Sequence, residues 1–321
     1  MRREIITWSL VGAALLSGFG ITVAILNSTL YSAGGFVHSY LDSLARHDAD
    51  GALELSGPSA AGGGSTELLV TDAMGELSDI QQVSDVANED GTHTVTYTYV
   101  AAGEPGRTTF EVEHTGAKFG IFTTWSFVTR PLGVIYMTVL HTDDFTANGV
   151  ALVTPTQNDP APYLVFTPGN YEFTHDSTFL EAKPVDVLAD EPGAGVPAAL
   201  SATANARFIR DVQKEIDDYL DTCAEQEVLQ PTGCPFGQLI SNRIASTPAW
   251  NIAEYPVIAI KGGDKANEWV VPPTAGAAHL TVDVRSLFDG SVTTFDEDVP
   301  FGVSYIITFV AEDELLLTAQ Y

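Results

Sequence analysis

Cys223 and Cys234 are the residues with the most definite chemistry, with ten residues between them in CAEQEVLQPTGC and Pro231 and Gly233 supplying a turn. Two thiols at this spacing predict a structural disulfide, worth about 2 to 3 kcal/mol for so short a loop. A zinc site needs about four ligands, and no further Cys or nearby His is available. A redox-active pair would be much closer, as in Cys-x-x-Cys. The seven histidines, at 38, 47, 93, 114, 141, 175 and 279, form no pair at metal-ligand spacing on one element. In HTDDF, His141, Asp143 and Asp144 offer ligand types, but one turn rarely completes a first shell, so a charged turn is expected there. DEDVP, Asp296 to Pro300, clusters carboxylates without the calcium-loop spacing and predicts a solvated turn. Tyr40, Tyr97, Tyr99, Glu111 and Glu113 are the residue types that move protons in a closed apolar pocket, where desolvation raises a carboxyl pKa. Val95, Tyr97 and Tyr99 alternate along one strand face, which predicts core packing for the tyrosines and solvent for the glutamates. Gly-x-Ser-x-Gly, Walker, dinucleotide and His-Glu-x-x-His motifs are absent. No catalytic residue, metal or cofactor is therefore assigned.

The stretch that positions everything else is Ile5 to Leu26, 22 residues without a charge. As a helix it reaches roughly 33 Å, enough to cross a bilayer core. A cleaved signal peptide is the competing reading. Its cut sites are poor, since a cut after Ala33 puts Tyr31, and one after Ser28 puts Leu26, where a small residue is needed. A permanent single-pass anchor is expected. Arg2 and Arg3 act as topology charges that keep the N-terminus inside and send the bulk of the chain to the extracytoplasmic side of the cell membrane.

Fourteen Lys plus Arg face 42 Asp plus Glu in 321 residues, a net charge of −28. Such an excess repels phosphate backbones, which excludes nucleic acid as a partner, and it favours a partner with a basic surface. The chain is long enough for two or three cores.

After the anchor, Phe36, Val37, Tyr40, Leu41 and Leu44 share a helical face. SGPSAAGGGS, Ser56 to Ser65, breaks that pattern, and a short helix is expected over Glu67 to Met74. Strands follow at Ile80 to Ala87, Thr92 to Ala101, Arg107 to His114 and Lys118 to Val128, with turns at Asn88 to Gly91, Ala102 to Gly106 and Thr115 to Ala117. From Pro131 the chain reads as purely β, with Asn148 and Gly149 the strongest hairpin signal. ADEPGAGVPAA reads as a linker. A second long helix places Phe208, Ile209, Val212, Ile216, Tyr219, Leu220 and Cys223 on one stripe. Strands are then expected near Tyr255 to Lys261, Glu268 to Val271, Ala277 to Phe288, Val303 to Val310 and Glu314 to Ala319.

FVHSYLDSLARHDADGALEL, followed by strands ending in TTWSF, resembles the nuclear transport factor 2-like and cystatin-like cone folds. FTANGVALV through YLVFTPGNYEF is similar to the short β modules found beside such cones. Bacterial single-pass envelope proteins, including the teicoplanin-resistance-associated membrane proteins, combine an anchor with modules of this kind, although this chain lacks their zinc-ribbon cysteines. Taken together, these readings predict an α+β protein: 1–4 a cytoplasmic N-terminus, 5–30 the transmembrane anchor, 31–130 a cone-like helix-plus-antiparallel-sheet domain. Residues 131–188 form a small all-β module, 189–199 a linker and 200–321 a second cone-like domain with the disulfide. The anchor, the modular β-rich architecture and the missing catalytic motifs lead to the expectation of a non-catalytic binding or scaffold protein whose partner is an envelope protein or cell-wall component. A small-ligand sensor or carrier using a cone cavity, and an isomerase- or hydrolase-like enzyme with a buried acid, are the alternatives.

Overall fold

The structure is a computed structural model, and it describes residues 2–57, 63–265, 267–311 and 314–320, with the side chains of 2–12 and 311 outside that description. Among the described residues the α-helices are α1 (Arg2–Ser28), α2 (Ala33–Ala45), α3 (Ala49–Ser56) and α4 (Ala206–Ala224). The strands are β1 (Leu77–Ala87), β2 (Thr92–Ala101), β3 (Glu104–Lys118), β4 (Phe122–Phe127), β5 (Leu132–Leu140), β6 (Asp144–Ala147), β7 (Val150–Val153), β8 (Pro160–Phe166) and β9 (Gly169–Thr174). They continue as β10 (Leu180–Ala182), β11 (Val185–Ala189), β12 (Gly195–Ala204), β13 (Arg243–Ile244), β14 (Ala249–Glu254), β15 (Lys261–Gly262), β16 (Glu268–Arg285), β17 (Val292–Ala311) and β18 (Glu314–Ala319). The class is α+β with antiparallel sheets. The chain divides into two compact units, one of Met1–Val139, Asp143–Thr174 and Pro184–Leu200, the other of Leu140–Thr142, His175–Lys183 and Ser201–Tyr321. Most of the all-β stretch 131–188 thus falls in the first unit.

In the first unit, Ser32 caps α2 by accepting a hydrogen bond from the Gly35 N–H, and Asp48 caps α3 through Gly51. The apolar face of α2, with Val37, Tyr40, Leu41 and Leu44 buried, covers the antiparallel sheet β1-β2-β3-β4. Tyr97, Tyr99, Phe110 and Phe127 fill the space beneath the helix. A second antiparallel group, β11-β9-β6-β7, includes the expected hairpin, whose turn residues Asn148 and Gly149 both have positive φ. The helix expected over Glu67 to Met74 is instead one 3-10 turn, Thr71–Ala73. Val70 and Thr71 are β-branched and disfavour helix, and burial of Leu68 holds the segment by packing. Residues 189–199 are not all linker, because Gly195 onward is strand β12.

In the second unit, Asn205 caps α4 through the Phe208 N–H, and Phe208, Val212, Ile216, Leu220 and Cys223 are buried in one stripe. Tyr219 is turned away and donates to the Gly233 carbonyl. Trp269, Leu280, Val282 and Ile307 form the sheet side of this core. The two strands expected at Glu268 to Val271 and Ala277 to Phe288 are one strand, β16, which crosses Pro272 and Pro273 with a register shift between Val271 and Thr274. The irregularity accommodates prolines, which cannot donate to the ladder. The strand expected at Tyr255 to Lys261 lies earlier, at Ala249–Glu254, ending before Pro256.

Cys223 and Cys234 are disulfide-bonded, with Cα atoms 5.8 Å apart. The bond ties the end of α4 to the following turn. Reduction is expected to lower the stability of this unit by about 2 to 3 kcal/mol, by releasing the closed loop in the unfolded chain. Unfolding temperatures measured with and without reductant check this, and unchanged values would mean the bond contributes nothing.

Candidate functional site: a cleft where the first helix meets the sheet

α1 carries apolar side chains on all its faces. Leu15, Leu16, Phe19, Ile21 and Ile25 are all exposed, Leu16 by 73%. An all-round apolar helix is at home in a core or a bilayer. Two hydroxyls of its described part bond back to their own helix, Thr22 to the Gly18 carbonyl at 2.9 Å and Ser28 to the Ile25 carbonyl at 2.9 Å. This satisfies them without water. Among the described residues no single helix is long and apolar enough to cross a membrane, and one pair meets the length and composition of a span only when taken together, Ala13–Ser28 with Ala33–Ala45, bent by 61°. The second member of that pair is α2, whose apolar face is used by the first unit's core. Arg2 and Arg3, assigned to topology, have side chains outside the described residues.

Where α1 ends, a cleft of about 640 Å³ opens between Ser28 to Gly35 and strands β1 and β2. His38, Gln82, Asp85 and Tyr97 line it. Asp85 is its organising group. Oδ2 accepts the Gly34 N–H at 3.1 Å, and Oδ1 lies 2.7 Å from His93 Nδ1. Asp85 lies opposite Val95, two positions from His93 on β2, so the pair is a diagonal contact set by the strand register. His93 also meets the edge of Trp125, with ring centroids 4.9 Å apart. Tyr97 donates to the Gly34 carbonyl at 3.0 Å. Burial, and then the Asp85 charge, push its phenol up to about 12, so it remains a neutral donor. Gly35 is required here, since a Cβ would sit 2.2 Å from the Thr29 carbonyl oxygen. A carboxylate that orients an imidazole can accept a proton or hold a polar ligand.

The tyrosines and glutamates considered for proton transfer are not brought together in one pocket. Tyr40 donates toward the Pro131 and Thr167 carbonyls, and Tyr99 pairs with the Thr108 hydroxyl at 2.8 Å. Both are buried, whereas Glu111 and Glu113 are exposed. Among the described residues no group of three or more His, Cys, Asp and Glu side chains is arranged to hold a metal ion. His141, of the HTDDF segment, packs against Trp269 with ring centroids 5.7 Å apart.

DEDVP is not a turn. It lies within β17, where Asp296 and Asp298 both reach His279 on the neighbouring β16. His279 Nδ1 is 2.7 Å from Asp298 Oδ1, and Nε2 is 3.0 Å from Asp296 Oδ1. Both ring nitrogens must donate, so the arrangement favours imidazolium. The hydrogen bonds, that to Asp298 first, raise the His279 pKa above its ordinary 6.5. The Thr281 hydroxyl, and then His279, hold Asp296 below its ordinary 3.8. The contribution of His279 to stability is thus complete below pH 6.5 and is lost as pH rises through its raised value. That of Asp296 is present above pH 3.8 and lost as pH falls through its lowered value. An NMR titration of the His279 ring is expected to give a midpoint above 6.5 that falls in Asp298→Asn. An unshifted midpoint would remove the pairing from the account.

The Asp85–His93 pair escaped the sequence reading because its partners lie on either side of a turn. The expected turn at Asn88 to Gly91, with register counted through it, was the signal that could have joined them. Compared with known proteins, the chain matches no protein-family model, no curated protein and no solved structure.

Proposed function

We propose that this chain is a single-pass, N-terminally anchored protein of a bacterial envelope, with its bulk extracytoplasmic, that works by binding or scaffolding without catalysis. The observation that carries the reading is the apolar circumference of α1, exposed at Leu15, Leu16, Phe19, Ile21 and Ile25, next to a unit whose own core begins at Ala33. Bare surface of that kind is costly in water and favourable in lipid. The disulfide suits an oxidising compartment, and Arg2 and Arg3 set the direction of insertion. In this reading α2 over the β1–β4 sheet takes the role of the nuclear transport factor 2-like or cystatin-like cone that the sequence resembles. The net charge of −28 selects an envelope protein or wall component with a basic surface.

Crosslinking in intact envelopes is expected to capture a basic partner whose yield falls with salt, because exposed charges are screened beyond about 8 Å at physiological ionic strength. Turnover of an envelope metabolite, abolished by Asp85→Asn or His93→Gln, would replace this reading with an enzymatic one. The cleft at Asp85 favours a second reading, a sensor or carrier for a small polar ligand. A ligand that copurifies with the protein and is lost in Asp85→Asn would support it.

A further inference from the structure

The β3–β4 hairpin ends in Lys118-Phe119-Gly120-Ile121, and the foremost apolar side chain of this tip, Phe119, is left almost wholly open to solvent. Phe119 is 83% exposed and Ile121 is 38% exposed. Phe119 has φ +55, a left-handed conformation that a bulky side chain adopts at a cost, followed by Gly120 at φ +73. A strained, solvent-facing phenylalanine gains nothing from the fold around it.

The base of the same hairpin is fixed to the end of α1. Asn27 Nδ2 donates to the Ile121 carbonyl at 2.7 Å, and Asn27 Oδ1 accepts the Thr123 N–H at 3.1 Å. Tyr31 stacks on Phe122 with ring centroids 4.5 Å apart, and Trp125 Nε1 donates to the Tyr31 carbonyl at 2.9 Å. These contacts hold the tip beside the end of α1, where the exposed apolar side chains are Ile25 on the helix and Leu30 in the turn after it. Lys118, with its ammonium 5.9 Å from the Phe119 ring centroid, puts a cation beside the tip in a chain of net charge −28. Aromatic and basic side chains together, at the end of an apolar helix, are what a membrane interface accommodates.

We propose that the β3–β4 hairpin tip inserts Phe119 and Ile121 into the bilayer interface beside α1, with Lys118 at the level of anionic headgroups. It gives the first unit a second membrane contact and fixes its orientation on the surface. The proposal rests on the anchor reading of α1. Its occupant is lipid because the tip continues the apolar surface of that helix.

The test uses the full chain with its disulfide intact and one added cysteine, Phe119→Cys, Phe19→Cys or Glu104→Cys, each carrying a polarity-sensitive fluorophore. Glu104 begins β3, about 45 Å along the strand from the tip at the usual rise per residue, and serves as the aqueous reference. The proteins are reconstituted in phosphatidylcholine vesicles containing phosphatidylglycerol. Emission at 119 and 19 is expected to shift to the blue and to be lost with lipids bearing a nitroxide near the headgroup, while 104 responds only to iodide in solution. Quenching by nitroxide lipid at 19 but iodide access at 119 would overturn the hairpin contact and leave the anchor standing. A label at 119 shielded from iodide yet untouched by nitroxide lipid would mean that a protein surface covers the tip, and would overturn the proposal too. Free iodide access at both 19 and 119 would overturn the anchor and the hairpin contact together.

Discussion

Tyr40→Ala is expected to destabilise the first unit by about 3 to 5 kcal/mol, the cost of emptying a large aromatic site in a packed core. Tyr40 is fully buried on α2, with its ring edge-on to Phe127 at 5.3 Å and to Phe110 at 6.2 Å. Its hydroxyl reaches the Pro131 carbonyl at 2.8 Å and the Thr167 carbonyl at 3.0 Å, and so joins the helix to the chain on either side of β5 and β8. Burial, with a smaller contribution from Tyr171, pushes this phenol well above its ordinary value, which keeps the donor proton in place at any working pH. Tyr40→Phe keeps the ring and removes the proton, so it is expected to cost only about 1 to 3 kcal/mol, the penalty of unmet buried acceptors. Denaturant unfolding of both variants separates the two contributions. Equal losses for alanine and phenylalanine would show that ring packing adds nothing.

Trp269→Ala is expected to destabilise the second unit on a similar scale, about 3 to 5 kcal/mol. Trp269 is almost completely buried on β16, and its ring lies 5.9 Å from Phe208 of α4 and 5.7 Å from His141. It is where helix and sheet of that unit meet. Its indole Nε1, however, is buried with no hydrogen-bond partner. Trp269→Phe keeps an aromatic ring against Phe208 and removes the unmet donor, so it is expected to retain most of the stability that alanine loses. Urea unfolding of the pair checks this, and a phenylalanine variant as unstable as alanine would contradict it.

Sequence and structure agree where a signal is carried by strong local chemistry. Thr92 to Ala101 is strand β2 at the expected bounds, because its Thr, Val and Tyr residues alternate. The stripe on α4 is buried as expected except at its margin, where Ile209 is half-buried and Tyr219 exposed. They part where glycine or small residues carry two meanings. The turn expected at Thr115 to Ala117 is absent, and β3 runs through it. Gly116, at φ +139, marks a register shift between His114 and Gly116, and the chain reverses three residues later at Phe119 and Gly120. Gly195 to Ala204 alternates inward Val196, Ala198, Leu200 and Ala202, but its small residues hide a period of two, so composition suggested a linker. The acidic run Asp296 to Asp298 looked like a solvated turn because its partners, His279 and Thr281, come from a strand about 17 residues earlier. The cleft at Asp85 was hidden for a related reason, since it joins groups from α2, β1 and β2.

The central claim is that α1 holds this chain in a membrane with its bulk outside, and fractionation with protease access tests it most directly. Full-length protein, expressed in bacterial cells, is expected to sediment with membranes, resist carbonate and high salt, and dissolve only in detergent. Protease added to intact spheroplasts is expected to digest it, with the Cys223–Cys234 disulfide already formed. Protein recovered in the soluble fraction without detergent, or sheltered from protease until the spheroplasts are lysed, would contradict the account.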